Sequence, residues 1–199
     1  MYAWRNWTQE MREEVLERRK LLNRPWHGPP HFTGQQTSQY LITGTCYEHE
    51  PIIGTSIVRM DDFVKQMHHA FESTSAAIHA WCVLPNHYHV LTTTSDLPLL
   101  VSRLGKLHGQ MSFAWNGEDN SRVHICWHRI TDRAMRSESH FWTTVNYIHH
   151  NAVKHGHASK WTEWPWSSAH DYLQVQGREA AAHIWQAYPI LDYGSSWDH

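Results

Sequence analysis

Long apolar runs are missing from this 199-residue chain. No stretch reaches the ~18 consecutive apolar residues of a membrane-spanning helix. Met1-Tyr2-Ala3-Trp4-Arg5 opens no apolar signal-peptide core, so a cytoplasmic protein is expected. Cysteine is scarce. Cys46, Cys82 and Cys126 stand far apart, and no Cys-x-x-Cys pair exists. That spacing argues against a zinc ribbon or a redox motif and for buried, reduced thiols. A glycine-rich phosphate loop is absent, which argues against an attached helicase domain. Charge of one sign is lacking too. Lys and Arg total 17 against 19 Asp and Glu, a formal net charge of −2 with histidine neutral. This is not the balance of a generic nucleic-acid coat. Phosphate contacts would have to come from local clusters, Arg18-Arg19-Lys20 or the set Arg122, Arg129, Arg133 and Arg136.

Histidine and tryptophan are plentiful, at 19 and 12 residues. Tryptophan usually fills cores, but it also stacks on unpaired bases at about 1–3 kcal/mol per base. Abundant histidine makes a single His-x-His triplet weak evidence for a metal, and His155-Gly156-His157 is a second triplet. The setting of the first triplet carries more. In Trp81-Cys82-Val83-Leu84-Pro85-Asn86-His87-Tyr88-His89-Val90-Leu91, two apolar runs flank a Pro-Asn corner, the pattern of a hairpin between buried strands. Residues two apart share a strand face. His87 and His89 therefore project together, and Tyr88 points the other way.

Periodicity orders the rest of the chain. A helix is expected over 8–22, followed by a Gly/Pro-rich arm to Gly34. A strand over 40–47 precedes a helix over 61–72, with Phe63, Met67, Ala70 and Phe71 at helical spacing. The hairpin strands, 77–84 and 87–94, come next. A helix capped by Asp96 carries the stripe Leu100, Leu104, Leu107 and Met111. A last strand is expected over 122–130, with Val123, Ile125 and Trp127 on one face. The order strand–helix–strand–strand–helix–strand predicts an α+β fold, a ferredoxin-like βαββαβ antiparallel sheet with both helices on one face. A further helix over 138–154, capped by Ser137, can cover the other face. It shows two stripes: Phe141, Val145, Ile148 and Ala152, and beside it His140, Thr144, Tyr147 and Asn151. Three regions follow: 1–39 as an N-terminal helix and arm, 40–173 as the main domain, and 174–199 as a tail with a weak helix near 178–187.

Three motifs, in order, carry a resemblance. Leu84-Pro85-Asn86-His87-Tyr88-His89 resembles the histidine–hydrophobic–histidine motif of HUH endonucleases. Asn146-Tyr147-Ile148-His149-His150-Asn151-Ala152-Val153-Lys154-His155-Gly156 resembles the single-tyrosine helix of REP-associated tyrosine transposases. Trp164-Pro165-Trp166-Ser167-Ser168 is similar to the segment that follows it in that family. The resemblance spans about Tyr40 to Leu173. One departure is Asn151-Ala152-Val153 where the family usually has Asn-Pro-Val, which should lengthen or straighten the helix end.

The resemblance implies that the added C-terminal helix is catalytic and that the main domain is a metal-dependent tyrosine HUH endonuclease. Tyr147 would be the nucleophile, and His87, His89 and Asn151 would be ligands of Mg²⁺ or Mn²⁺. His140, Thr144, Asp132, Arg136 and Lys154 are candidates for supporting the site or contacting DNA. The implied substrate is single-stranded DNA that folds into hairpins at REP-like palindromes, nicked and transferred through a 5′-phosphotyrosine by a monomer. A binding module without catalysis is the competing expectation. Divalent-dependent cleavage separates the two.

Overall fold

β1 (Gln39–Thr45) forms an inner strand of a four-stranded sheet. A computed structural model describes Thr8 and residues 39–194, nearly all within one unit, Gln36–Tyr193. The expected helix over 8–22 and the arm after it lie outside the described residues.

The elements follow the expected order. β1 leads to α1 (Ile57–Glu72), then β2 (Ala77–Val83), β3 (His87–Thr93), α2 (Leu97–Glu118) and β4 (Thr131–Ala134). The sheet order is β2-β3-β1-β4, and every pairing is antiparallel. This is the ferredoxin-like arrangement. α3 (Glu138–Lys154), α4 (Ala169–Gln176) and α5 (Arg178–Ala187) complete the described chain. α5 belongs to the same unit as the sheet. No helix among the described residues is long and apolar enough to cross a membrane.

Strand alternation divides the core. Ile42, Tyr88 and Val90 pack in one cluster with Phe63 and Met67 of α1 and Leu100, Leu104 and Met111 of α2. Residues of the opposite parity, including His87, His89 and Leu91, are buried on the other face. Tyr88 points away from the histidines, as the alternation predicts. Its partner across the pair is Gly44. A Cβ at Gly44 would fall inside the van der Waals envelope of the Tyr88 ring. Gly44→Ala should therefore cost about 1–3 kcal/mol by overpacking, a fall in Tm of roughly 2–12 °C. An unchanged midpoint in thermal unfolding would show that the ring does not rest on Gly44.

Burial pushes the Tyr88 phenol well above its ordinary range, so it keeps its proton. Its hydroxyl shares a hydrogen bond with His108 Nε2 at 3.0 Å. Burial lowers His108 to about 3, and its ring stacks on Trp127 at 3.8 Å. The neutral form is native, while the unfolded chain takes up a proton below about pH 6.5. Stability is thus fully present above that pH and falls as pH drops toward 3, by about 1.4 kcal/mol per unit. His108→Gln keeps an acceptor for Tyr88. Urea unfolding should show a loss between pH 7 and pH 5 that is smaller in this variant by about 2 kcal/mol. Equal losses in both proteins would contradict the assignment.

Two expected boundaries shift. α1 begins at Ile57, four residues earlier than the stripe suggested, because Ser56 accepts from Arg59 N and caps it there. The strand expected over 122–130 is not regular. Val123 is 94% and Ile125 56% exposed, and an isolated bridge joins Trp127 to Cys46. The regular strand is β4, whose register on β1 differs from that bridge by one residue. Such a slip interrupts a ladder as a bulge does.

The segment Trp164-Pro165-Trp166-Ser167-Ser168 borders the edge of β2. Val83 N donates to Trp166 O, Trp164 Nε1 donates to Val83 O, and Trp81 N and Ser168 N exchange bonds with Ser168 Oγ and Trp81 O. The motif covers an edge that would otherwise be open to pairing.

Candidate active site

The helix is placed first by its ends. Ser137 accepts from His140 N at 3.1 Å and starts α3. Gly156, at φ 74°, stops it: His157 N donates to Ala152 O, and Gly156 N to Val153 O, the Schellman pattern. Ala152 is fully buried inside the last turns. Behind α3, His149 Nε2 meets Ser168 Oγ at 3.0 Å. Because Ser168 is tied to Trp81 of β2, this contact fixes the helix to the hairpin.

The stripe of α3 then meets β3. His87 Nε2 lies 3.1 Å from Asn151 Oδ1, and His89 Nε2 lies 3.2 Å from the Tyr147 hydroxyl. The two imidazole centroids are 5.0 Å apart. All four side chains are buried, with Tyr147 only 1% exposed.

Each imidazole is oriented by a second contact. Asn86 Nδ2 donates to His49 O at 3.2 Å, which turns its Oδ1 toward His87 Nδ1 at 2.8 Å. Neutral His87 thus donates from Nδ1 and carries its lone pair on Nε2. That lone pair faces Asn151 Oδ1, another acceptor, and the Asn151 Nδ2 atom is buried with no hydrogen-bond partner among the described residues. A cation is one group that two acceptors set face to face can share. His89 Nδ1 meets Thr43 Oγ1 at 2.8 Å, an arrangement that presents Nε2 to Tyr147 when the threonine accepts. Hydrogen bonds at the rear nitrogens of a histidine pair are the usual way a metal site fixes its ligands. Two imidazole nitrogens and an amide oxygen form a donor set that suits a divalent cation. Among the described residues, no group of three His, Cys, Asp or Glu side chains does so.

Lys154 also reaches the site. Its ammonium lies 5.2 Å from the centre of the Tyr147 ring, a cation–π contact. His140 and Thr144 share the stripe but meet Tyr193: the Tyr193 hydroxyl is 2.9 Å from His140 Nε2 and 2.6 Å from Thr144 Oγ1. Burial, with Arg133 and Arg136 nearby, lowers His140. Arg136 is exposed, and its backbone N donates to His140 Nδ1. Asp132 stands opposite Ile42 in the register, on the sheet face away from the histidines. Arg133 stands opposite Leu41, on the histidine face.

Sequence reasoning missed two neighbours. Tyr193 packs its ring edge-on at 5.5 Å from Tyr147, and His155, noted in the sequence only for its His-x-His triplet, lies 5.0 Å from the His87 ring. The signal for His155 was its place one turn after Asn151.

No protein-family model matches the chain. Over 99 residues the chain is 30% identical to the REP-associated tyrosine transposase of Escherichia coli (strain K12). The chain is similar to REP-associated tyrosine transposases. The matched stretch makes up 47% of this chain and 54% of that relative, so the chain spans about half the relative's length. The fold is shared with a solved REP-associated tyrosine transposase bound to a REP hairpin. That match has a TM-score of 0.56 and 20% identity, over 74% of this chain and 86% of the other.

Proposed function

We propose that this protein is a tyrosine transposase of the HUH type, which cuts and rejoins single-stranded DNA beside hairpin-forming, REP-like palindromes. The observation that carries the reading is the meeting of Tyr147 and Asn151, from one helix, with His87 and His89, from a distant strand. The substrate class rests on the relatives, one of which was solved on a REP hairpin. One chain supplies the whole set, which supports action as a monomer.

The Tyr147 oxygen attacks the phosphorus, the bond from phosphorus to the 3′ oxygen breaks, and a 5′-phosphotyrosine forms. The phenol, whose oxygen lies 3.2 Å from His89 Nε2, gives up its proton to water as the new bond forms. The departing 3′ oxygen takes up a proton. Lys154 steadies charge on the phenol. His87, His89 and Asn151 would hold Mg²⁺ or Mn²⁺, which neutralises a non-bridging phosphate oxygen and orients the phosphorus. The phosphodiester link to tyrosine preserves the bond energy, so a second strand's 3′ hydroxyl can reverse the step and join. Because the four side chains are buried, DNA reaches them only after local opening.

The test is incubation of the purified protein with Mn²⁺ and end-labelled hairpin oligonucleotides carrying single-stranded flanks. Cleavage that requires the cation and leaves a free 3′ hydroxyl is expected. Hairpin binding without cleavage, at any concentration of Mn²⁺ or Mg²⁺, would leave only a single-stranded-DNA-binding module.

A further inference from the structure

Beside α3 lies a cavity of about 810 Å³, between α3, the 160–162 loop, α4 and α5. This volume is within the range of small-molecule sites. Its walls differ from those of the core. Trp161, Tyr172 and Trp185 supply aromatic surface from three separate segments. His149 packs between two of them, with centroids 5.9 Å from Trp161 and 4.7 Å from Tyr172. Lys160 and Arg178 line the cavity as well, and no carboxylate does. Lys160 pairs with exposed Glu163 at 3.3 Å, whereas Arg178 makes no ion pair among the described residues. The Tyr172 hydroxyl is buried without a hydrogen-bond partner.

We infer that this cavity binds one unpaired nucleotide, its base against the aromatic walls and its phosphate at Arg178 and Lys160. Aromatic faces accept any base, and the cations select the attached phosphate. An apolar peptide would leave the cations unmatched, and an acidic one would leave the indoles unused. The assignment rests on the proposed single-stranded DNA substrate for its ligand class. It gives the protein a second hold on the strand, separate from the cutting site but carried by the same helix.

The probes are a single-stranded decanucleotide containing one 2-aminopurine and free 2-aminopurine deoxyriboside 5′-monophosphate. Each is titrated into the full-length protein. Saturable quenching of 2-aminopurine is expected with the native chain. Trp185→Ala and the exposed Arg178→Glu should each weaken it by about 5- to 150-fold, with unchanged circular dichroism and Tm. Tighter binding of the decanucleotide identifies the ligand as part of a DNA strand, and equal binding of the monophosphate identifies a free nucleotide. Either result supports the site. Absence of saturable quenching, or equal affinity in native and variant proteins, would overturn it. Hairpin cleavage is followed in parallel. Quenching that obeys the variants while the native chain never cuts would keep the pocket and remove the transposase reading. Cutting by a protein whose variants bind like the native chain would do the reverse.

Discussion

Tyr147→Phe loses cleavage of the hairpin substrate by a factor on the order of 10⁴ or more while still binding it. The substitution removes one oxygen atom, which the proposed chemistry uses as nucleophile. The ring itself stays packed between its neighbours, 5.2 Å from His89 and 5.5 Å from Tyr193. The hydrogen bond to His89 is lost, a cost of about 0.5–1.5 kcal/mol to folding. The variant should therefore be folded, monodisperse and able to shift the hairpin in a native gel. Product should be absent on a denaturing gel. A variant that still cuts would remove Tyr147 from the reaction.

The second large effect is on the cation. Replacing His87 and His89 together with alanine should abolish Mn²⁺ binding in calorimetry and all divalent-dependent cleavage, and chelation with EDTA should do the same to the native protein. Two of the three proposed ligands are then gone. Finer variants separate ligation from packing. Asn86→Ala and Thr43→Val leave both imidazoles but remove the groups behind them, at 2.8 Å in each case. Loss of such supports lowers metal affinity by about 10- to 100-fold, and saturating Mn²⁺ should restore part of the cleavage. If the double-alanine protein bound Mn²⁺ as the native protein does, the donor set would lie elsewhere.

Much of this arrangement was legible before any coordinates. Period-two alternation placed His87 and His89 on one face and Tyr88 on the other. The spacing of Tyr147 and Asn151 placed them on one stripe, and Ser137 and Gly156 bounded their helix. These are local rules, and they held where the backbone is regular. Failures came where tertiary contacts decide. Val123, Ile125 and Trp127 alternate like a strand, yet the first two are exposed, and among the described residues the segment is held by an isolated bridge from Trp127 to Cys46, just past the end of β1. The cap at Ser56 outranked the apolar stripe that seemed to start α1 later. Asp132 and Arg133 are neighbours in sequence, and only the pairing register showed which of them shares the histidines' face. Tyr193 lies 46 residues beyond Tyr147, and no local pattern links the two.

Tandem mass spectrometry of the protein–DNA adduct, trapped with a hairpin oligonucleotide and Mn²⁺ and digested to peptides, tests the central claim most directly. A nucleotide remnant joined through a 5′ phosphate to Tyr147 is the predicted result. A remnant on Tyr193 or any other residue, or cutting with no linked peptide at all, would contradict it.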